Sequence, residues 1–201
     1  MGERETWSTG EFGDSHKGAV GVLLADGTVP RPVRYQTSSS GGGRSVSHWS
    51  AYNGRYDAPQ AHALRGECSC GWTGPKHVLD WDEIGDQELA RAGVGVAIQC
   101  ESDWWDIHLV EVEATTVPLP ETVTDLLSQL TEEIEKLGNT HPLAAVRAAL
   151  RLEVTAAELA FWPARNARSD SSPEQAAAAL GLNEADAERV LARFSRSRRY
   201  H

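Results

Sequence analysis

The segment Arg65-Gly-Glu-Cys68-Ser-Cys70-Gly-Trp72-Thr-Gly constrains this chain more than any other stretch. Cysteines one residue apart set two sulfurs on one side of a tight turn. Gly71, just after the second, lets the backbone curl so that its N–H groups point at them. This is the form of a metal knuckle. Three cysteines in total, two of them almost adjacent, argue against a disulfide framework and for metal-bound or free thiols.

Cys68 and Cys70 are therefore expected to hold a structural zinc ion, and a closed zinc site needs four ligands. The remaining places have five candidates: His48, His62, His77, Cys100 and His108. His108 falls in a segment that reads as a supporting helix, and His48 begins the aromatic stretch leading into the knuckle. The expected set is Cys68, Cys70, His108 and His48. Cys100 is the main rival for either histidine place, and the fourth ligand stays open between His48, His62, His77 and Cys100. His77 follows Pro75 in a turn that must first curl away from the metal.

The chain of 201 residues has room for one domain or two small ones, and 18 Gly with 9 Pro imply a loop-rich part. No apolar run reaches the ~18 residues of a membrane span. The N-terminus has neither a basic nor an apolar leader region, so a cytoplasmic protein is expected. A formal charge of −10 disfavours general coating of nucleic acid. The charge is uneven, however: from Arg189 to His201 there are five arginines and no acid.

Residues 1–16 are polar and aperiodic and read as a flexible terminus. Ala19–Ala25 reads as a buried strand, and Asp26-Gly27 as a hairpin turn. The return arm to Tyr35 is weakened by Pro30 and Pro32. Thr37 to Arg44 has the composition of a linker. His48, Trp49, Tyr52, Tyr56, His62 and Trp72 make the following segment aromatic, and Trp81, Trp104 and Trp105 are expected in the same shell. Residues 75–100 read as irregular and acidic, and 100–113 as helix. Val117-Pro-Leu-Pro120 is a hinge, after which the composition turns Ala/Leu/Glu-rich.

Beyond the hinge, Val123, Leu126, Leu127, Leu130, Ile134 and Leu137 form one apolar stripe that Gly138 can end. Leu143, Val146, Leu150, Val154 and Ala157 form the stripe of a second helix, which starts at Thr140-His-Pro142 and is expected to stop near Pro163. So short a connection predicts an antiparallel helical hairpin.

These segments carry a resemblance. Cys68-Ser-Cys70-Gly71-Trp72, Trp105-Asp-Ile-His108, Val117-Pro-Leu-Pro120 and Pro142-Leu-Ala-Ala-Val-Arg147 resemble a group of small, largely uncharacterised actinobacterial proteins, many associated with plasmids or phages. The likeness spans residues 45–160. It implies His108 rather than Cys100 as third ligand, and it implies no activity.

The C-terminal pattern stands apart from that likeness. Ser172-Pro-Glu-Gln175 has the form of a capping box with Pro at the first helical position. Gly181 ends that helix, and Asn183 caps another running towards Ser197. Ala177, Leu180, Leu182, Ala187 and Val190 fall where a helix-turn-helix buries side chains. The segment resembles the winged or sigma-like helix-turn-helix class.

The expected architecture is α+β. Residues 1–16 form a flexible N-terminus and 17–116 a zinc-stapled, β-rich module. A helical hairpin follows at 121–166, and a helix-turn-helix at 172–198. The expected function is DNA binding, as an accessory or transcriptional regulatory protein, through Asn183, Arg189, Arg193, Arg196, Arg198 and Arg199. The alternative is a protein-interaction adaptor that never touches DNA. The hairpin is a candidate surface for a second copy or another protein. No His-Glu-x-x-His, phosphate loop or Gly-x-Ser-x-Gly is present, so an enzyme is not expected.

Overall fold

The apolar run Ala19-Val-Gly-Val-Leu becomes the middle of a sheet, buried along its whole length. The computed structural model describes residues 5–36 and 43–196. Its strands are β1 (Thr6–Trp7), β2 (Gly18–Leu23), β3 (Val33–Gln36), β4 (Gly43–Val46), β5 (Ala63–Cys68) and β6 (His77–Val78). Four of them form an antiparallel sheet in the order β1-β2-β5-β6. Gly18 lies opposite Cys68 and Leu23 opposite Ala63. The chain forms two units that divide between Val112 and Glu113.

The expected hairpin from β2 into the Pro-rich arm does not form as a ladder. Leu24 and Thr28 close the turn, but β3 pairs with β4 across the Ser/Gly-rich segment, not with β2. Pro30 and Pro32 cannot donate to a ladder, which leaves the flank of β2 to β1. Residues 37–42 lie outside the described residues.

Two further expectations for the first unit are corrected. Residues 5–16 are built into the fold: Thr6 pairs with Ala19, and Phe12 is buried. The stretch 75–100 is mostly helical, with α1 (Trp81–Ile84), α2 (Leu89–Ala92) and α3 (Val94–Asp103). Asp80 caps α1 by accepting the N–H groups of Asp82 and Glu83. After α3 the helix continues through a π turn, Trp104–His108, into α4 (Leu109–Thr115).

α3 packs on β5 and β2. The approach is close at Gly66, where an added Cβ would lie 2.7 Å from the Cys100 carbonyl oxygen. Between them lies the core, with Val20, Val22, Leu64, Trp49, Leu89 and Cys100 all buried.

The second unit is helical. α5 (Glu121–Thr140) runs past Gly138, and His141 alone separates it from α6 (Pro142–Asp170). α6 also passes through Pro163, although a proline inside a helix removes a hydrogen bond and costs about 3 kcal/mol. The helix is packed at this point: Ala164, the next residue, is buried in a cluster with Ala176 and Leu191. α7 (Pro173–Leu180) begins with a complete Ser172/Gln175 capping box. It ends at Gly181 in the left-handed region (φ +64°). α8 (Glu184–Ser195) is capped by Asn183, whose side chain accepts the Asp186 N–H. α8 packs on both α6 and α7. Among the described residues no helix is long and apolar enough to cross a membrane.

Candidate metal centre

The knuckle turn closes on itself by two hydrogen bonds. Cys68 N–H donates to Trp72 O at 3.0 Å, and Gly71 N–H donates to Cys68 O at 2.9 Å. Gly71 takes φ +97°, which L side chains rarely adopt. Ser69, between the two cysteines, ties this turn to Lys17, just before the start of β2 that faces Cys68. Its N–H donates to Lys17 O, and its Oγ accepts the Lys17 N–H, both at 2.9 Å. The same hydroxyl faces the carbonyl oxygens of Asp14 and Ser15 at 2.9 and 3.0 Å. These bonds hold the short helical turn Gly13–His16 beside the cysteines.

His108 comes from the other side, at the end of the π turn. There Leu109 N–H reaches back five residues to Trp104 O. Its ring is stacked on Trp72, with centroids 4.7 Å apart and planes at 21°. Trp104, fully buried, stands one helical turn earlier and meets Trp7 edge-on. Phe12 packs edge-on against His16. Each imidazole is thus oriented by an aromatic neighbour.

The outcome is a cluster of four potential ligands: His16, Cys68, Cys70 and His108. Their ligand atoms all lie within 4.8 Å of one another. His16 Nδ1 is 3.0 Å from His108 Nε2 and 3.8 Å from Cys68 Sγ, and Cys70 Sγ is 3.4 Å from His108 Nε2. Cys68 and His108 are buried, His16 is half-buried and Cys70 reaches the surface. These residues can hold a metal ion.

No family model, curated protein or solved structure matches this chain.

The structure brings together three of the four expected ligands and replaces the fourth. His48 is not in the cluster. It caps the helical turn Trp49–Ala51, with Nδ1 2.7 Å from Ser50 Oγ, and its Nε2 faces Glu5. The rivals are engaged elsewhere. His62 is exposed. His77 Nε2 is 2.5 Å from Asp103 Oδ2. Cys100 is wholly buried in the core. His16 was missed because it sits in the polar segment read as a flexible end. Its one signal is position: it lies two residues before a buried strand. That signal acquires meaning only once Gly18 is known to face Cys68.

Electrostatics separate the thiols and imidazoles by environment. Burial, then the neighbouring His16, lowers the His108 pKa to about 4, so its imidazole is neutral at pH 7 and free to ligate. Burial raises the Cys70 pKa, and the adjacent Cys68 adds to the effect. A bound cation would oppose both contributions. Burial, then the charge of Asp103, pushes Cys100 up to about 12, consistent with an inert core thiol.

The residues expected to touch DNA divide differently. Asn183 is committed to its cap, and Arg189 pairs with Asp186. Arg193 lies over the Phe194 ring, 4.4 Å from its centroid. Arg196 is exposed. Arg198 and Arg199 lie outside the described residues.

Proposed function

We propose that this protein is a DNA-binding accessory or regulatory protein whose first unit is stapled by a structural zinc ion. Zinc suits the donor set and the spacing. With Zn–N near 2.05 Å and Zn–S near 2.3 Å, a tetrahedron separates two nitrogens by about 3.3 Å and nitrogen from sulfur by about 3.6 Å. The distances of 3.0, 3.4 and 3.8 Å fall around those values. Two thiolates and two imidazoles fill all four positions, which supports a structural ion over a catalytic one.

For DNA, α7 and α8 are read as a helix-turn-helix, with α5 and α6 as the hairpin that carries it. The observation that carries this reading is the set of exposed arginines on α8 and at its C-cap. Arg189 and Arg193 lie one turn apart on α8, Arg196 follows as its C-cap, and all three are exposed. The opposite side of α8 is anchored by buried Ala187 and Leu191 and by the Arg168–Glu188 pair. These arginines suit contacts to phosphates. Base reading by Asn183 would require it to leave its cap.

Retention of duplex DNA as a function of salt tests this. Each lost phosphate contact lowers the log–log salt slope by about 0.9. Replacing Arg189, Arg193 and Arg196 together by Ala should therefore cut the slope by roughly 2–3 and weaken binding to all sequences alike. Binding that is unmoved by the triple change rejects the proposal. The pairing of Arg189 with Asp186 favours a second reading, in which the α8 surface docks an acidic protein segment. Absence of any DNA retention at low salt would select it.

A further inference from the structure

We infer that this protein is a homodimer in which the α5 and α6 faces of two copies pack together as a four-helix bundle. The inference does not depend on DNA binding or on the metal. Its starting point is that much of the stripes which give these helices their amphipathic pattern stays exposed within the chain. α5 contributes no buried residue at all. Val123, Leu126, Leu127 and Leu130 are 39–65% exposed. On α6, the stripe residues Leu143, Val146 and Leu150 are 57–86% exposed.

Near the turn between them α5 and α6 do meet: Ala145 is buried and faces Gly138, and the stripe residues Ile134, Leu137, Val154 and Ala157 are half-buried. An amphipathic helix takes most of its stability from burying its apolar face. The first half of α5, from Val123 to Leu130, gains little of that from its own chain.

The area suits a second copy. These seven side chains leave on the order of 700 Å² exposed per chain, close to the ~800 Å² per partner of a standard interface. Patches on monomers rarely exceed about 300–600 Å². Charge sets the pairing. α5 carries five acids (Glu121, Asp125, Glu132, Glu133 and Glu135) against one Lys136. The first half of α6 carries Arg147 and Arg151 and no acid before Glu153. Two α5 helices side by side would repel. A two-fold arrangement that lays α5 of each copy against α6 of the other puts opposite charges together twice, as an isologous interface requires.

The test is the molar mass of the full chain by light scattering and sedimentation across a concentration series. The expected result is twice the chain mass, with at least a tenfold weaker dimer in Leu126→Glu combined with Leu150→Glu. Both side chains are exposed in the single chain, so the helical circular dichroism should survive. Charge exchange makes the test specific. Arg147→Glu with Arg151→Glu should be monomeric, as should Glu133→Lys with Glu135→Lys, while a mixture of the two should form a heterodimer. A parent chain that stays monomeric at high concentration overturns the inference. So does a dimer indifferent to both charge sets, or a mass that doubles only with a different protein bound.

Discussion

Ser69 and Lys17 exchange two backbone-anchored hydrogen bonds, one from the Ser69 N–H and one to its hydroxyl, both 2.9 Å long. The residue between the two cysteines is therefore the clasp that brings His16 to them. Ser69→Ala keeps both sulfurs and removes the hydroxyl, which also faces Asp14 O and Ser15 O. Loss of such supporting contacts typically costs 10–100-fold in metal affinity. A loss of about tenfold is expected here, read by competition with a chromophoric zinc chelator. Parent-like affinity would show that His16 reaches the cluster without the clasp.

His16 and His48 are predicted to behave oppositely. His16→Ala should abolish tight metal retention after dialysis and lower the thermal midpoint. His48→Ala loses the cap on the Trp49–Ala51 turn and the contacts to Glu5 and Trp49, none of them in the cluster, and should keep a full complement of metal. Metal analysis of the two variants in parallel decides between them. Retention by His16→Ala with loss in His48→Ala would contradict the cluster.

The metal-stripped protein should lose stability on acidification through His108. Its folded pKa is about 4, while an unfolded imidazole titrates near 6.5. Between those values the unfolded chain takes up a proton that the folded chain refuses. Stability therefore falls as pH drops from about 6.5 towards 4, and recovers as pH rises. In chelator, the difference in thermal midpoint between the parent and His108→Gln should shift in that direction over that window. A constant difference would exclude His108 as the cause.

Thiol alkylation should sort the cysteines by environment. Cys100 is fully buried with a pKa near 12 and should stay unmodified in the native protein. Cys70, at the surface, should react once metal is stripped and be protected when metal is restored. Mass mapping of the labelled sites checks this. Labelling of Cys100 before unfolding would show that the packing of α3 on β5 opens readily.

Local signals carried much of this fold. The knuckle turn, the Ser172/Gln175 box, the left-handed Gly181 and the Asn183 cap each depend on residues a few positions apart, where sequence and conformation are directly coupled. Non-local pairing was not legible. Nothing near His16 shows that β2 would lie against β5, and only that register carries it to Cys68. The helices of 81–92 are four residues each, too short to show a period. The stripes of α5 and α6 were plain in the sequence, but a stripe shows only that a face avoids water. It does not say whose surface covers it.

The π turn before His108 makes the helix two rulers joined out of step. Leu109 N–H skips to Trp104 O, so one surplus residue is absorbed there. Every side chain beyond it is phased by about 100° relative to an uninterrupted helix. α3 keeps its own phase on the sheet, and His108 keeps another on the sulfurs. Removing a single residue between Trp104 and Ile107 would restore an even helix and turn the imidazole away from Cys70 without altering any ligand. The spacing of this segment is thus as much a part of the donor set as the histidine itself.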